Sequence, residues 1–289
     1  MKVTVALPVF NGGVYLRAAI ESILIQCFQD WELLVLDDGS TDHSLDSICN
    51  LNDSRIRVVS DGLSCGIASR LNQAVSLAKG QYFARMDHDD IMHPERLLHQ
   101  VSYLDLHPHI DLVATRCVLI DQNGCLCGAM PFACDENDLT RRPWLGFNMA
   151  HPSWMGRLQW FENNPYRVPS PYRCEDQELL LRAYSHSRYL VLDRYLMAYR
   201  VRTEVPLISL VRTRFSLLKC QALFFIGLGR PDLVALSGSA ALFRLASDLR
   251  RKICCLAFGK TMRQRGILPR LVSDEWSSIL RLHRFVNWP

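Results

Sequence analysis

Trp31-Glu32-Leu33-Leu34-Val35-Leu36-Asp37-Asp38-Gly39-Ser40 is a short apolar run stopped abruptly by two carboxylates and a glycine. Such a run is too brief for a helix and reads as a buried strand that ends in a turn. Working outward, Val3 to Val9 is a second run of this kind, closed by Asn11-Gly12-Gly13. Between them Leu16, Ile20, Ile23, Leu24 and Cys27 recur at helical spacing. Downstream, residues 42–51 read as helix, Ile56 to Val59 as strand, and Ile67 to Ala78 as a helix closed by Gly80. Tyr82 to Met86 is a further strand, stopped by Asp87-His88-Asp89-Asp90. Pro94 suits the first turn of the next helix, whose Leu97, Leu98, Val101 and Leu104 share a face until His107-Pro108. Strands and helices alternating at this rhythm imply an α/β fold, a mostly parallel sheet flanked by helices on both faces.

The next part is less regular. Leu112 to Ile120 and Cys125 to Met130 flank Asp121-Gln122-Asn123-Gly124, a hairpin signal. Residues 143–174, rich in Pro, aromatics and Asn, read as loops over a site. Glu175 to Tyr184 returns to helix, Tyr189 to Leu192 and Leu196 to Val201 to strands, and beyond Pro206 the chain is helical, apolar and basic.

Both acidic clusters fall just after the C-terminal end of an expected parallel strand, the edge at which open α/β sheets bind ligands. Asp37, Asp38, Asp87 and Asp89 are then expected to converge on one rim and to repel each other unless a cation or donor groups neutralise them. Hard oxygen ligands of this kind suit Mg²⁺ or Mn²⁺ shared with a phosphate. The plainer alternative is that the same residues cap helices and form turns. Glu175-Asp176 has an equivalent alternative, since acids favour a helix N-terminus.

Five segments resemble, in order, those of family-two inverting glycosyltransferases with the GT-A fold. They are Pro8-Val9-Phe10-Asn11, Leu34 through Asp42, Arg70-Leu71-Asn72, Asp87-His88-Asp89-Asp90 and Glu175-Asp176-Gln177-Glu178-Leu179. The resemblance spans about residues 1–203. It implies a donor that is a nucleoside-diphosphate sugar, UDP- or dTDP-linked, and an acceptor hydroxyl on a glycan or lipid-linked sugar. Pro8, Phe10 and Asn11 would line the nucleobase pocket, where Asp38 accepts a hydrogen bond from the ring and Asp37 lies alongside. Arg70 would lie near the base or the diphosphate. Asp87 and Asp89 match the DxD motif, with Asp89 the direct ligand of Mn²⁺ or Mg²⁺, Asp87 turned to the ribose and metal, and His88 between them on the donor side. Asp176 matches the general base, with Glu175 supporting it, and His151 falls where the acceptor-side segment does. One position departs from the pattern: Tyr199-Arg200-Val201-Arg202 carries Arg202 where relatives often have a His. An Arg cannot ligate a cation but can pair with phosphate oxygens on the diphosphate side.

The bulk numbers agree with a folded globular chain. Of 289 residues, 49% are hydrophobic and 21% charged. The net charge of +4 conceals a division at Thr203. Residues 1–203 carry 19 Lys and Arg against 24 Asp and Glu, a net of −5, and residues 204–289 carry 14 against 5, a net of +9. A catalytic part, 1–203, and a basic helical part, 204–289, follow from this. The 11 cysteines have no framework or paired CxxC, and the N-terminus lacks the apolar core of a signal peptide, so a reducing cytoplasm is expected. Leu233 to Phe243, the longest uncharged stretch of the basic part, has 11 residues. That is about half of what spans a bilayer. Such helices either pack on the catalytic part or lie on an anionic membrane surface, which would place the protein peripherally on the inner face of the cell membrane.

Other classes fit less well. Gly259-Lys260-Thr261 has Cys254 where a P-loop needs Gly. No GxGxxG follows the first strand, and the basic tail belongs to no nucleic-acid module. A sugar nucleotidyltransferase would carry a Gly-rich, basic loop after its first strand, which Asn11-Gly12-Gly13-Val14-Tyr15 is not. A catalytically silent fold that binds a nucleotide sugar or serves as a scaffold stays open beside the transferase.

Overall fold

The computed structural model describes residues 1–131, 136–201, 205–258 and 266–283. In chain order it contains β1 (Val3–Val9), α1 (Tyr15–Leu24), β2 (Trp31–Asp37), β3 (Ile56–Val59), α2 (Ile67–Leu77), β4 (Tyr82–Arg85), β5 (Ile91–Met92), α3 (Arg96–Leu106), β6 (Leu112–Ile120) and β7 (Leu126–Ala129). These are followed by α4 (Glu136–Arg141), β8 (Met155–Arg157), α5 (Leu158–Asn163), α6 (Glu175–Ala183), β9 (Tyr189–Arg200), α7 (Leu207–Gly227), α8 (Pro231–Phe258) and α9 (Arg270–Leu282). The strands form one sheet in the order β3-β2-β1-β4-β8-β6-β9-β5, with β7 on β6. Its first half, β3 to β4, is wholly parallel. The second half is mixed: β8 is antiparallel to both β4 and β6, whereas β6 and β9 run parallel.

Side-chain alternation along the strands divides the core in two. Val3, Val5, Leu7 and Val9 of β1 pack with α1 and α3. Ala6 of β1, with Leu34 and Leu36 of β2, packs with α2, α5 and α6. Both faces of the sheet are therefore buried, which explains why these strands are continuously apolar.

The fold class and most elements agree with the sequence; the exceptions have physical causes. Residues 42–51 contain only a 3-10 turn, Ser44–Ile48, because polar side chains tie the segment to the first loop. Asp42 accepts from Gly13 N (2.8 Å) and Ser44 from Gly12 N (3.2 Å). Residues 143–174 are not merely loops: they supply 3-10 turns at Pro143–Leu145 and His151–Ser153, the central strand β8 and α5. A three-residue strand has no readable period, and Gly156 admits no side chain, since a Cβ there would lie 2.8 Å from Asp111 O. The two strands expected at 189–192 and 196–201 are one strand with bulges opposite Thr115 to Cys117. Pro94 precedes α3, and Cys27 lies exposed beyond α1.

The C-terminal helices pack on this body. Phe225 of α7 and Leu233 of α8 join the α6 side of the core, while Trp276 and Leu280 of α9 cover Ile91, Val118 and Ala198. The outer faces of α7 and α8 remain apolar. On α7, Ile208, Phe215, Leu223 and Ile226 are exposed on one stripe with Arg212 and Lys219, three to four residues apart. On α8, Leu242 and Phe243 are 70% and 76% exposed.

Candidate active site

Three loops at the C-terminal edge of the parallel strands build the site. The loops after β1 and β2 are knitted together: Asn11 N donates to Ser40 Oγ (3.0 Å), and Thr41 N to Asn11 Oδ1 (2.8 Å). Asn11 accordingly adopts a positive φ of 51°, which Asn tolerates better than most residues. Pro8 is buried in β1, whereas Phe10 stands 52% exposed on the rim.

Asp37 and Asp38 serve this scaffold. Burial pushes the Asp37 carboxyl up, but hydrogen bonds from Ser40 and Ser60 outweigh it and hold the carboxyl below its ordinary value. Asp38 accepts from Cys65 N (2.7 Å), Gly66 N (3.0 Å), Ser64 Oγ (3.2 Å) and Arg70 Nε (3.1 Å). Arg70, 1% exposed, also pairs with Asp61 at 2.6 Å and donates to Gln73 and Leu63 O. That pairing draws Asp61 down to about 2. Of the four carboxylates expected at this rim, Asp37 and Asp38 are thus neutralised by the protein's own donors. Arg70 braces the 60–66 loop from below, with its guanidinium nitrogens engaged there.

The cluster that does form is Asp87, Asp89 and Asp90, whose carboxylate oxygens lie within 4.8 Å of one another. Asp90, 1% exposed, accepts from Arg200 N at 2.7 Å through Oδ1, while its buried Oδ2 has no hydrogen-bond partner. Burial, then the charges of Asp89 and Asp87, raise its carboxyl well above the usual range. Arg200 clamps the loop by donating to Asp89 O (2.6 Å) and Asp121 O (2.7 Å). His88 lies against Gly12. An all-oxygen set with an orphaned buried carboxylate oxygen and excess negative charge fits a hard divalent cation.

Beneath this loop sits Arg85, 2% exposed at the end of β4, with Nη1 2.5 Å from Asp87 Oδ2 and Nε unpartnered. Burial disfavours its charge, but Asp87 and Glu175 outweigh that and hold the guanidinium firmly charged. The strand end is fixed by buried Arg96, which donates to Arg85 O (2.9 Å) and Trp154 O (3.1 Å).

Facing it are Glu175 and Asp176, in the first turn of α6. Burial, then the neighbouring Asp176 charge, pushes the Glu175 carboxyl up to about 7. Burial also raises Asp176, against a hydrogen bond from Gln177 Nε2 at 3.2 Å. Gln177 is itself pinned by Phe147 N (2.8 Å) and Phe147 O (3.0 Å). His151 is buried; its Nε2 lies 2.7 Å from Tyr166 Oη and its Nδ1 3.9 Å from Glu175. Burial, then Arg85, depresses its pKa well below the ordinary value, so it is a neutral strut. Asp87, Arg85, His151, Glu175 and Asp176 line one cavity of about 300 Å³ with Asn148, Gln177 and Tyr199. Arg202 lies outside the described residues.

Sequence reading passed over Arg85, Asp90, Tyr166 and Gln177. Only Arg85 left a signal, a charged residue within an otherwise apolar strand. Asp90 and Gln177 lie within the acidic segments, where nothing in the pattern gives them a separate role.

Residues 4–171 match the family model described as Glycosyl transferase family 2. EpsE of Bacillus subtilis is 37% identical over 127 residues, 43% of this chain and 45% of that protein. The glycosyltransferase GlyG of Streptococcus pneumoniae is 38% identical over 109 residues, 36% of each. The matches thus span under half the length of these relatives. Among solved structures, TarS residues 1–349 from S. aureus, in complex with UDP-GlcNAc, covers 98% of this chain and 80% of its own at TM-score 0.65 and 18% identity. The mannosyltransferase PcManGT of Pyrobaculum calidifontis, in complex with GDP-Man and Mn²⁺, covers 98% and 85% at TM-score 0.60 and 16% identity. At such identities the likeness is one of fold.

Proposed function

Because the chain belongs to glycosyl transferase family 2, we propose that it moves a sugar from a nucleoside-diphosphate sugar, UDP- or dTDP-linked, to a hydroxyl of a glycan or lipid-linked acceptor, with inversion. The observation that carries this reading is the cavity of about 300 Å³ on which Asp87 and the Glu175-Asp176 pair both open. A transferase of this type needs two chemistries within one sugar's reach: neutralisation of a leaving diphosphate and removal of a hydroxyl proton.

In the proposed step, Asp176 takes the acceptor proton as the hydroxyl oxygen bonds to the anomeric carbon. The bond from that carbon to the diphosphate oxygen breaks, and the leaving group departs with the electron pair. Glu175 keeps the shared proton near neutrality, so that Asp176 can be the ionised member of the pair. Arg85 compensates Asp87 and Glu175 beneath the donor. Gln177 orients the base, and neutral His151 and Tyr166 hold the wall behind it. Pro8, Phe10, Asn11, Asp37 and Asp38 form the nucleobase end, with Asp38 acting mainly through the loop it organises. Asp87, Asp89 and Asp90 would hold Mn²⁺ or Mg²⁺, which supplies positive charge to the diphosphate.

Among the described residues, no helix is long and apolar enough to cross a membrane. The apolar, basic outer faces of α7 and α8 support peripheral attachment to an anionic surface.

The test is thermal unfolding with UDP, dTDP, GDP and CDP, each with and without Mn²⁺, beside Asp89→Ala. A ligand at a hundred times its Kd adds about 2.7 kcal/mol. Stabilisation by one nucleotide, strengthened by Mn²⁺ and weakened in the variant, supports the reading and identifies the donor base. No response to any nucleotide favours a silent member of the fold.

A further inference from the structure

A second cavity, of about 650 Å³, lies between the α7–α8 pair and the 142–148 segment. Its lining includes Arg142, Arg214 and Arg244, and among the described residues that line it there is no carboxylate. Arg214 pairs with the buried Asp248 at 3.0 Å, and Arg244 donates to Leu145 O. The Asp248 charge also reaches Arg244, and Arg142 adds an exposed guanidinium to the lining. Burial, then repulsion from Arg214, lowers the Arg244 pKa, as expected where positive charge is only partly compensated.

This cavity adjoins the catalytic one. Phe147, Asn148 and Gln177 line both, and Gln177 hydrogen-bonds Asp176. Gly146 packs directly on Gln177: at its φ of 72°, a Cβ would stand 2.6 Å from Gln177 Oε1. An acceptor with its hydroxyl at Asp176 would reach the three arginines along Phe147, Asn148 and Gln177, which the two cavities share. Guanidinium groups grouped in this way match the oxygens of a phosphate better than those of a neutral sugar.

We propose that the Arg142–Arg214–Arg244 cavity is an acceptor subsite that binds a phosphate group attached to the acceptor glycan. The proposal rests on the transferase reading and specifies its acceptor class. The phosphate can belong to a lipid-linked sugar, which the apolar faces of α7 and α8 would accompany, or to a water-soluble phosphorylated glycan.

Calorimetric titration with geranyl phosphate and with glucose 1-phosphate, each with and without saturating UDP and Mn²⁺, tests it. The full chain, Arg142→Gln and Arg142→Gln/Arg244→Gln are compared. At least one phosphate should bind with UDP present, weaken at least tenfold in the double variant and weaken less in Arg142→Gln. The latter changes an exposed residue and so controls for folding. UDP affinity should be unchanged in both variants. Tighter binding of geranyl phosphate assigns the subsite to lipid-linked acceptors, and equal binding to soluble ones. If neither phosphate binds, or the variants bind as the parent does, the subsite is refuted. A failure of both UDP and dTDP to bind would instead count against the transferase reading, and the phosphate titration without nucleotide would still test the arginines.

Discussion

Replacing Glu175 by Gln isolates the cost of keeping a second carboxylate beside the proposed base. The folded Glu175 carboxyl titrates at about 7, against 4.5 for the free group, because it is buried and next to Asp176. A native value above the unfolded one means that the folded state retains a proton which the unfolded state releases. Glu175 therefore costs almost nothing below about pH 4.5, and its penalty grows from there to about pH 7 and levels off above it. At about 1.36 kcal/mol per pKa unit, the gap between 4.5 and about 7 makes the full penalty roughly 3–4 kcal/mol, essentially complete by pH 8. Gln has the shape of the protonated acid and cannot ionise. Glu175→Gln should accordingly lie within about 1 kcal/mol of the parent at pH 5 and exceed it by roughly 3 kcal/mol at pH 8, in urea unfolding followed across that range. Because Glu175 is still protonated where Asp176 ionises, the acid limb of kcat/KM should stay in place in the variant. A variant no more stable than the parent at pH 8 would refute the coupled pair and its placement in a low-dielectric wall.

Asp176→Asn should lower kcat on the order of 10²–10⁴-fold with donor affinity kept, as steady-state kinetics and nucleotide binding would reveal; retention of kcat would remove Asp176 as the base. Gly146→Ala forces a side chain into left-handed backbone and against Gln177, at roughly 1–2 kcal/mol. It should reduce acceptor-side kcat/KM while UDP binding persists, and equal losses of both would point to general unfolding. Phe243→Glu, on the exposed face of α8, should weaken flotation with anionic vesicles at low salt roughly tenfold; unchanged flotation would exclude that face from the membrane.

The strands were legible because both faces of a parallel sheet are buried, which leaves unbroken apolar runs such as Val3 to Val9. Their C-terminal ends were legible because Asn-Gly-Gly, Asp-Asp-Gly-Ser and Asp-His-Asp-Asp cannot continue such runs. β8 was not legible, since its three residues become a strand only by pairing with β4 and β6. His151 is a similar case. Sequence order placed it near the acceptor side, but only packing made it a buried, neutral partner of Tyr166.

The amino-acid sequence by itself determined the family, the sheet edge that bears the site, and the two acidic segments of the proposed chemistry. Hydrophobic period and turn chemistry encode the edge and the acidic turns, whereas the family rests on the resemblance of five ordered segments. Tertiary structure decided which carboxylates meet. Asp37 and Asp38 are taken up by Arg70, serine hydroxyls and loop amides, whereas Asp90 joins Asp87 and Asp89. It also brought Arg85 beside Asp87 and Arg142 into one cavity with Arg214 and Arg244. Charges far apart in the chain compensate or repel only after folding sets their distance and removes water between them, and no periodicity along the chain records that distance.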